Sequence, residues 1–255
     1  MTRPPRIPIA LPTIFVVLAA TAAAASAASP AARVAVLTFD AAWSDEGAGS
    51  ILDALKERGL KATFFLAGRF VVRFPALARR IAEEGHEAAN HTYSHDHLTR
   101  GAAAGRWETR PGLTFAILKD EMDRTATAYA AATGRALTPL WRAPYGETNA
   151  EIDAWAGEAG YTHVPWTEGL DALDWVSDES SRLYQSPETA LARLLRRLAA
   201  RDGAEGPAFV LMHLGSSRPE GERFAGALPA LIDGARALGY RFETASEALA
   251  EGNTR

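Results

Sequence analysis

The chain has 255 residues, a formal net charge of −4, 47% hydrophobic residues and no cysteine. Its apolar content suffices for one substantial core, while the acidic balance and the lack of a Lys/Arg-rich stripe speak against a nucleic-acid partner. Without cysteine there are no disulfides, no thiolate nucleophile and no cysteine metal site.

The first 27 residues stand apart from that core. MTRPPR carries two arginines, an apolar run follows from Ile7, and small residues lead to Ala27. This order reads as a secretory signal peptide cleaved after Ala27, leaving residues 28–255 as one domain with no stable membrane insertion. An uncleaved anchor is the alternative, because the run reaches the lower range of a membrane span. Either way the expected location is secreted or at the cell envelope.

From residue 33 the chain alternates between two periodicities. RVAVLTFD at 33–40 is an apolar strand ending on an acid, and ILDALKERGL carries a helical stripe that stops at Gly59. KATFFLAG reads as a second strand, FPALARRIAEEG as a helix and HEAANH as a third strand. The segment 97–112 is turn-rich and reads as a surface loop, with Trp107 a candidate groove wall. A long helix ending at Gly134 follows, then LWRAP as a strand, NAEIDAWAGEAG as a helix and YTHVPW as a strand. Ser186 and Pro187 open another helix, PAFVLMH is a strand, a helix runs to Gly239, and YRFETASEAL closes as strand and turn. The recurring βα unit predicts one α/β domain with parallel strands, a barrel or a distorted (β/α) barrel. An open doubly wound sheet has the same pattern, but no G-x-G-x-x-G turn follows the first strand.

The polar residues gather where predicted strands end. Asp40 ends the first, His91 and His95 follow the third, and Arg142 follows Trp141. Asp171, Asp174 and Trp175 come after YTHVPWTEG, and His213 ends FVLMH. In parallel α/β folds such positions converge on one face, where active sites lie. If NHTYSH at 90–95 opens a helix, His91 and His95 fall on one side and can face one ion; a polar surface pair is the alternative.

Taken in order, these segments resemble the motifs of the polysaccharide deacetylase family, the NodB-homology or carbohydrate esterase family 4 type, from about Arg33 to about Ser246. Thr38, Phe39 and Asp40 match the start of T-F-D-D-G. His91 to His95 match H-[ST]-x-x-H, and Arg142 to Tyr145 match R-x-P-Y. Asp174 with Trp175 resembles the fourth motif, Leu211 to His213 match L-x-H, and KATFF at 61–65 is typical of the family. The resemblance implies a single NodB-type domain that removes N-acetyl groups from a glycan such as peptidoglycan or a chitooligosaccharide. It implies His91 and His95 as ligands of a divalent metal, with zinc the simplest identity and cobalt or nickel equally suited to the ligand types. Asp40 is then the general base, His213 the general acid, Arg142 the holder of Asp40 and Asp174 the tuner of His213. The Tyr145 N–H joins the oxyanion site, and Tyr145 and Trp175 offer aromatic walls for a sugar.

One position departs from the pattern. The family's second aspartate, normally the third protein ligand, is Ala41 here. Asp45, or less favourably Glu46, is the expected substitute by nearness alone; both also suit the first turn of a helix. Two rival functions remain on sequence grounds: O-acetyl ester cleavage at the same site, and a catalytically silent glycan-binding module that has lost its metal.

Overall fold

Strand β1 (Arg33–Ala41) runs through the centre of a parallel sheet, buried from Ala35 to Ala41. A computed structural model describes Met1 and residues 33–101, 107–201 and 206–252, and the expected signal peptide after Met1 lies outside them. β1 pairs with β2 (Thr63–Leu66), with β8 (Ala208–His213) and, at its start, with β9 (Tyr240–Phe242). β2 pairs with β3 (Glu87–Asn90), β3 with β6 (Leu140–Trp141), and β6 with β7 (Thr162–His163). The order is therefore β7-β6-β3-β2-β1-β8, all parallel, with β9 beside β1.

Both faces of this sheet are covered, which is why its strands read as near-continuous apolar runs. Even-numbered β1 positions such as Val36 pack inward against Phe65, Ala89, Leu140 and Val164. Odd positions Leu37, Phe39 and Ala41 pack outward with Phe64 and Leu66 into the larger core. That outer layer takes the buried stripe of α1 (Ala48–Glu57), Ile51, Leu52 and Leu55, and the stripes of α3 (Pro75–Glu83), α6 (Pro187–Ala199) and α7 (Leu228–Ala237). Each fully buried Leu or Phe there contributes about 1.5–3 kcal/mol relative to leaving it in water.

The sheet curls, and one segment joins its two edges. After β7, the Val164 N–H still donates to Trp141 O beside β6. From Thr167 the chain crosses to the other edge: the Thr167 N–H donates to Phe209 O, and the Ala172 N–H and Leu170 O bond with Leu211 on β8. The result is an open, distorted (β/α) barrel, as the βα rhythm predicts.

Three elements differ from the sequence reading. A short helix, α2 (Gly68–Arg73), precedes α3, and the two meet at Phe74. The expected loop 97–112 contains a two-stranded antiparallel ladder, β4 (Thr99–Arg100) with β5 (Glu108–Thr109); residues 102–106 are not described. The chain closes on α8 (Ala245–Gly252) rather than a turn. Glu87, at the start of β3, accepts from the Ala245 and Ser246 amides and so caps that helix from a distant strand. The long helix α4 (Phe115–Thr133) and α5 (Ala150–Glu158) form as expected, with Gly134 left-handed at φ 71° after α4.

Candidate active site

Strand register assembles the polar residues. Asp40 is the direct neighbour of His213 across the β1/β8 pair and of Phe65 across β1/β2. Leu66 pairs with Asn90 and Asn90 with Trp141, so His91 and Arg142 each follow a strand end in the same layer. Paired strands lie about 4.8 Å apart, which brings these side chains together at the carboxyl edge of the sheet.

Arg142 is fully buried inside the curl. Its Nη1 donates to Asp40 Oδ1 and to Thr38 Oγ1, both at 2.8 Å, and its Nε donates to Val164 O. The guanidinium also lies 4.1 Å from the ring centre of Phe65. Burial pushes the Asp40 carboxyl upward, but Arg142, His91 and His213 more than offset this and hold it below the ordinary carboxylate range. Asp40 Oδ2 remains outside the Arg142 bond and lies 3.6 Å from His91 Nε2.

On the other side, Asp174 grips His213 with both oxygens. Oδ2 accepts the His213 backbone N–H at 2.9 Å and Oδ1 the imidazole Nδ1 at 2.8 Å. Burial pulls the imidazole down, yet Asp174, with Asp40 and Asp171 behind it, takes it up to about 9. His213 is thus an imidazolium at neutral pH, donating from Nδ1 to Asp174 and leaving Nε2 toward the cleft. Two arginines, Arg218 buried and Arg193 half-buried, brace the loop that carries Asp174: Arg218 donates to Leu173 O and Val176 O, and Arg193 to Gly169 O and Asp171 O.

NHTYSH does not form a helix. Thr92 and His95 are left-handed, at φ 59° and 56°. Asn90 Oδ1 accepts the Thr92 N–H, while Glu121 Oε2 on α4 accepts the Tyr93 and Ser94 amides and the Ser94 hydroxyl. Gly68 and Arg69, opening α2, donate to Thr92 O and Tyr93 O. A Cβ on Gly68 would fall 2.2 Å from the Tyr93 ring, so only glycine permits this approach. The compact loop, rather than helical spacing, sets the His91 and His95 rings 4.7 Å apart. His91 Nδ1 donates to Arg142 O, which leaves Nε2 with its lone pair. Burial lowers both imidazoles, His95 to about 3, so both are neutral donors near pH 7.

A carboxylate poised beside a charged histidine, with two neutral imidazoles adjacent, is an arrangement for hydrolysis. Residues 27–164 match the sequence profile of the family described as "Polysaccharide deacetylase". The chain belongs to the polysaccharide deacetylase family.

Among relatives, it is 33% identical over 159 residues to a chitooligosaccharide deacetylase of Bradyrhizobium sp., covering 62% of this chain and 66% of that protein. It is 38% identical over 139 residues to a peptidoglycan-N-acetylglucosamine deacetylase of Bacillus cereus, covering 54% and 45%. The chain thus spans less than two thirds of either protein's length. Among solved structures it is similar, at TM-score 0.67 and 25% identity, to a wild-type carbohydrate esterase family 4 pseudoenzyme from Bacillus anthracis, covering 87% of this chain and 66% of that one.

Against the deacetylase pattern, the donor set of this chain stops at two. The Ala41 methyl packs in the outer core. Asp45 does not replace the missing carboxylate: it is exposed, and among the described residues no group of three His, Asp or Glu side chains able to hold a metal is present. After β1 the chain turns away toward α1, where the Asp45 carbonyl accepts the Ala48 N–H. Glu46 is drawn to the Ser44 hydroxyl and toward Arg223 and Arg73 instead. The side chains present therefore fit a two-imidazole site and not the family's three-ligand set. Among the described residues, the buried His95 Nδ1 and Arg142 Nη2 have no hydrogen-bond partner.

Tyr145 lies in a short turn, Pro144–Gly146, at φ 59°. The turn's own hydrogen bonds run from Gly146 to Ala143 and from Glu147 to Pro144, leaving the Tyr145 N–H outside them. Its ring touches His95 and stacks on His97 at 4.0 Å. Trp175 is exposed beside Asp171, whose carboxyl burial raises. Sequence reasoning missed Glu121 and Glu147, which holds His97 and Thr99. Nothing in a helical or turn pattern marks them; their role depends on what folds against them.

Proposed function

We propose that this chain is a hydrolase of the deacetylase type that removes N-acetyl groups from a GlcNAc-containing glycan, with peptidoglycan or a related cell-envelope polysaccharide as substrate. The observation that carries this reading is the Asp40–His213 pair on adjacent strands, each held by an opposite charge. A binding module needs neither. Names among the relatives support the substrate class, and the order of residues 1–27 supports export.

Asp40 takes the proton of the attacking water at Oδ2, because Oδ1 is held by Arg142. His213, kept charged by Asp174, donates from Nε2 to the departing amine as the amide C–N bond breaks. The Tyr145 N–H donates to the carbonyl oxygen as charge develops there, and Trp175 walls the sugar. A divalent ion, zinc in the simplest case, would bind through His91 and His95 and supply Lewis-acid polarisation of the acetyl carbonyl.

A second reading, a silent glycan-binding module, is favoured by Ala41 and by the likeness to a pseudoenzyme. The test is acetate and amine release from purified peptidoglycan and N-acetylglucosamine oligomers, using chelator-treated protein with and without zinc or cobalt. Metal-restored release that His91→Ala abolishes supports the deacetylase. No release from the natural chain, together with zinc binding that appears in calorimetry only in Ala41→Asp, supports the silent module. Acetate release without free amine, from O-acetylated glycan, would instead reveal an esterase.

A further inference from the structure

Four aromatic side chains stand among the large exposed apolar residues of the described structure: Trp43, Trp107, Tyr145 and Trp175. Three of them lie at the carboxyl edge of the sheet, two having an expected place in the site. Trp43 has none: it follows Ala41 and Ala42, where the matched motif has diverged.

The indole of Trp43 meets the His95 imidazole edge-on, at 5.5 Å and 77°. Tyr145 contacts the same imidazole at 4.7 Å. Yet Trp43 remains 55% exposed, so most of its apolar surface is packed against nothing. An exposed indole on a mobile loop would be unremarkable, but this loop is pinned from several sides. The Arg73 guanidinium donates to Trp43 O, and the Ser216 N–H donates to Glu46 O. Gly215 lies so close that a Cβ there would fall 1.9 Å from Ser44 O. Backbone thus holds a large flat ring at the mouth of the histidine pocket, beside side chains that are only methyls. A fixed, solvent-facing aromatic next to a polar pocket is suited to the apolar C–H face of a pyranose, whose hydroxyls stay in water at the ring's rim.

We propose that Trp43 is a substrate-stacking residue that seats one pyranose ring of an N-acetylhexosamine oligomer against the His91–His95 pocket. This rests on the glycan reading of the same site and adds to it the residue that fixes the register of the sugar. The contact comes from residues of the β1 loop, where this chain departs from T-F-D-D-G, so it is a property of this chain's own sequence.

The experiment measures binding of N-acetylglucosamine tetramer by calorimetry to chelator-treated natural protein, Trp43→Ala, Trp43→Phe and, as an exposed apolar control on α2, Val72→Ala, with thermal midpoints for each. Trp43→Ala is expected to bind about five- to tenfold more weakly, the scale of one lost aromatic contact. Trp43→Phe should recover part of that loss, Val72→Ala should bind as the natural chain does, and all thermal midpoints should agree within a degree or two, roughly, as for surface substitutions. Tight binding by Trp43→Ala overturns the assignment while leaving the glycan reading intact. Equal weakening by Val72→Ala also overturns it, since the effect would not belong to the pocket. Failure of the natural chain to bind either this tetramer or a peptidoglycan fragment defeats both.

Discussion

His213 and Asp40 show how single residues are given opposite protonation states within one pocket. Asp174 binds both the backbone and ring nitrogens of His213, so its negative charge is fixed where it favours the imidazolium. Arg142 does the reverse for Asp40, favouring the carboxylate. Asp174→Asn should therefore move the His213 imidazole from about 9 toward its ordinary 6.5. In the proposed mechanism the acid is lost once pH exceeds its pKa, so the alkaline limb of the pH–rate profile should shift downward by about the same interval. Imidazole NMR titration checks the shift directly, and an unmoved His213 resonance would exclude Asp174 as its tuner. His213, Arg142 and Asp174 were legible in the sequence because short motifs preserve them as neighbours of recognisable residues. Asp45 was misplaced because nearness along the chain says nothing about which way a turn directs the side chain.

At the scale of elements, the site depends on a loop and on the helix beneath it. The 90–95 loop has two left-handed residues that a helix would not tolerate, and Glu121 of α4 compensates by taking three of its donors. Glu121→Ala leaves two partly buried amides without that acceptor. It should cost about 2–4 kcal/mol, since each orphaned donor costs roughly 1–3 kcal/mol and water recovers part of it. Urea unfolding measures the loss; Glu121→Gln, which retains a carbonyl acceptor, should restore at least part of it. Activity lost in Glu121→Ala at full stability would instead assign Glu121 a direct chemical role. The β1 and β8 strands were legible from their apolar runs, and α4 from its length and the glycine behind it. The α2 and α8 helices were not. Each is short, and α8 is capped by Glu87 from another strand, a contact with no local signature.

For the molecule as a whole, buried histidines set an acid limit on stability. Burial holds His86 at about 4, His95 at about 3, and His91 below its ordinary value, so all three are neutral in the folded state near pH 6. The unfolded chain takes up their protons below about 6.5. Stability contributed by their neutral burial is thus present above that pH and is lost as pH falls toward 4. His213 has the opposite linkage: its raised folded value adds stability below 6.5 that disappears as pH rises through about 9. The chelated protein should therefore be most stable near pH 6–7, by the same linkage, with its thermal midpoint falling on both sides. A midpoint that stays level from pH 7 to 4 would contradict the buried, neutral state of these histidines.

Local sequence by itself determined the alternation of strands and helices, the parallel α/β class and the identities of the residues at the strand ends. These follow from side-chain periodicity and from motifs read within a few positions. Tertiary structure alone decided that Asp40 sits beside His213, that Arg142 is buried within the curl, that Asp45 is exposed and that Trp43 meets the edge of His95. Strand register and loop anchoring join residues up to 173 positions apart in these pairs, from Asp40 to His213, and no local pattern encodes which distant backbone a turn will meet.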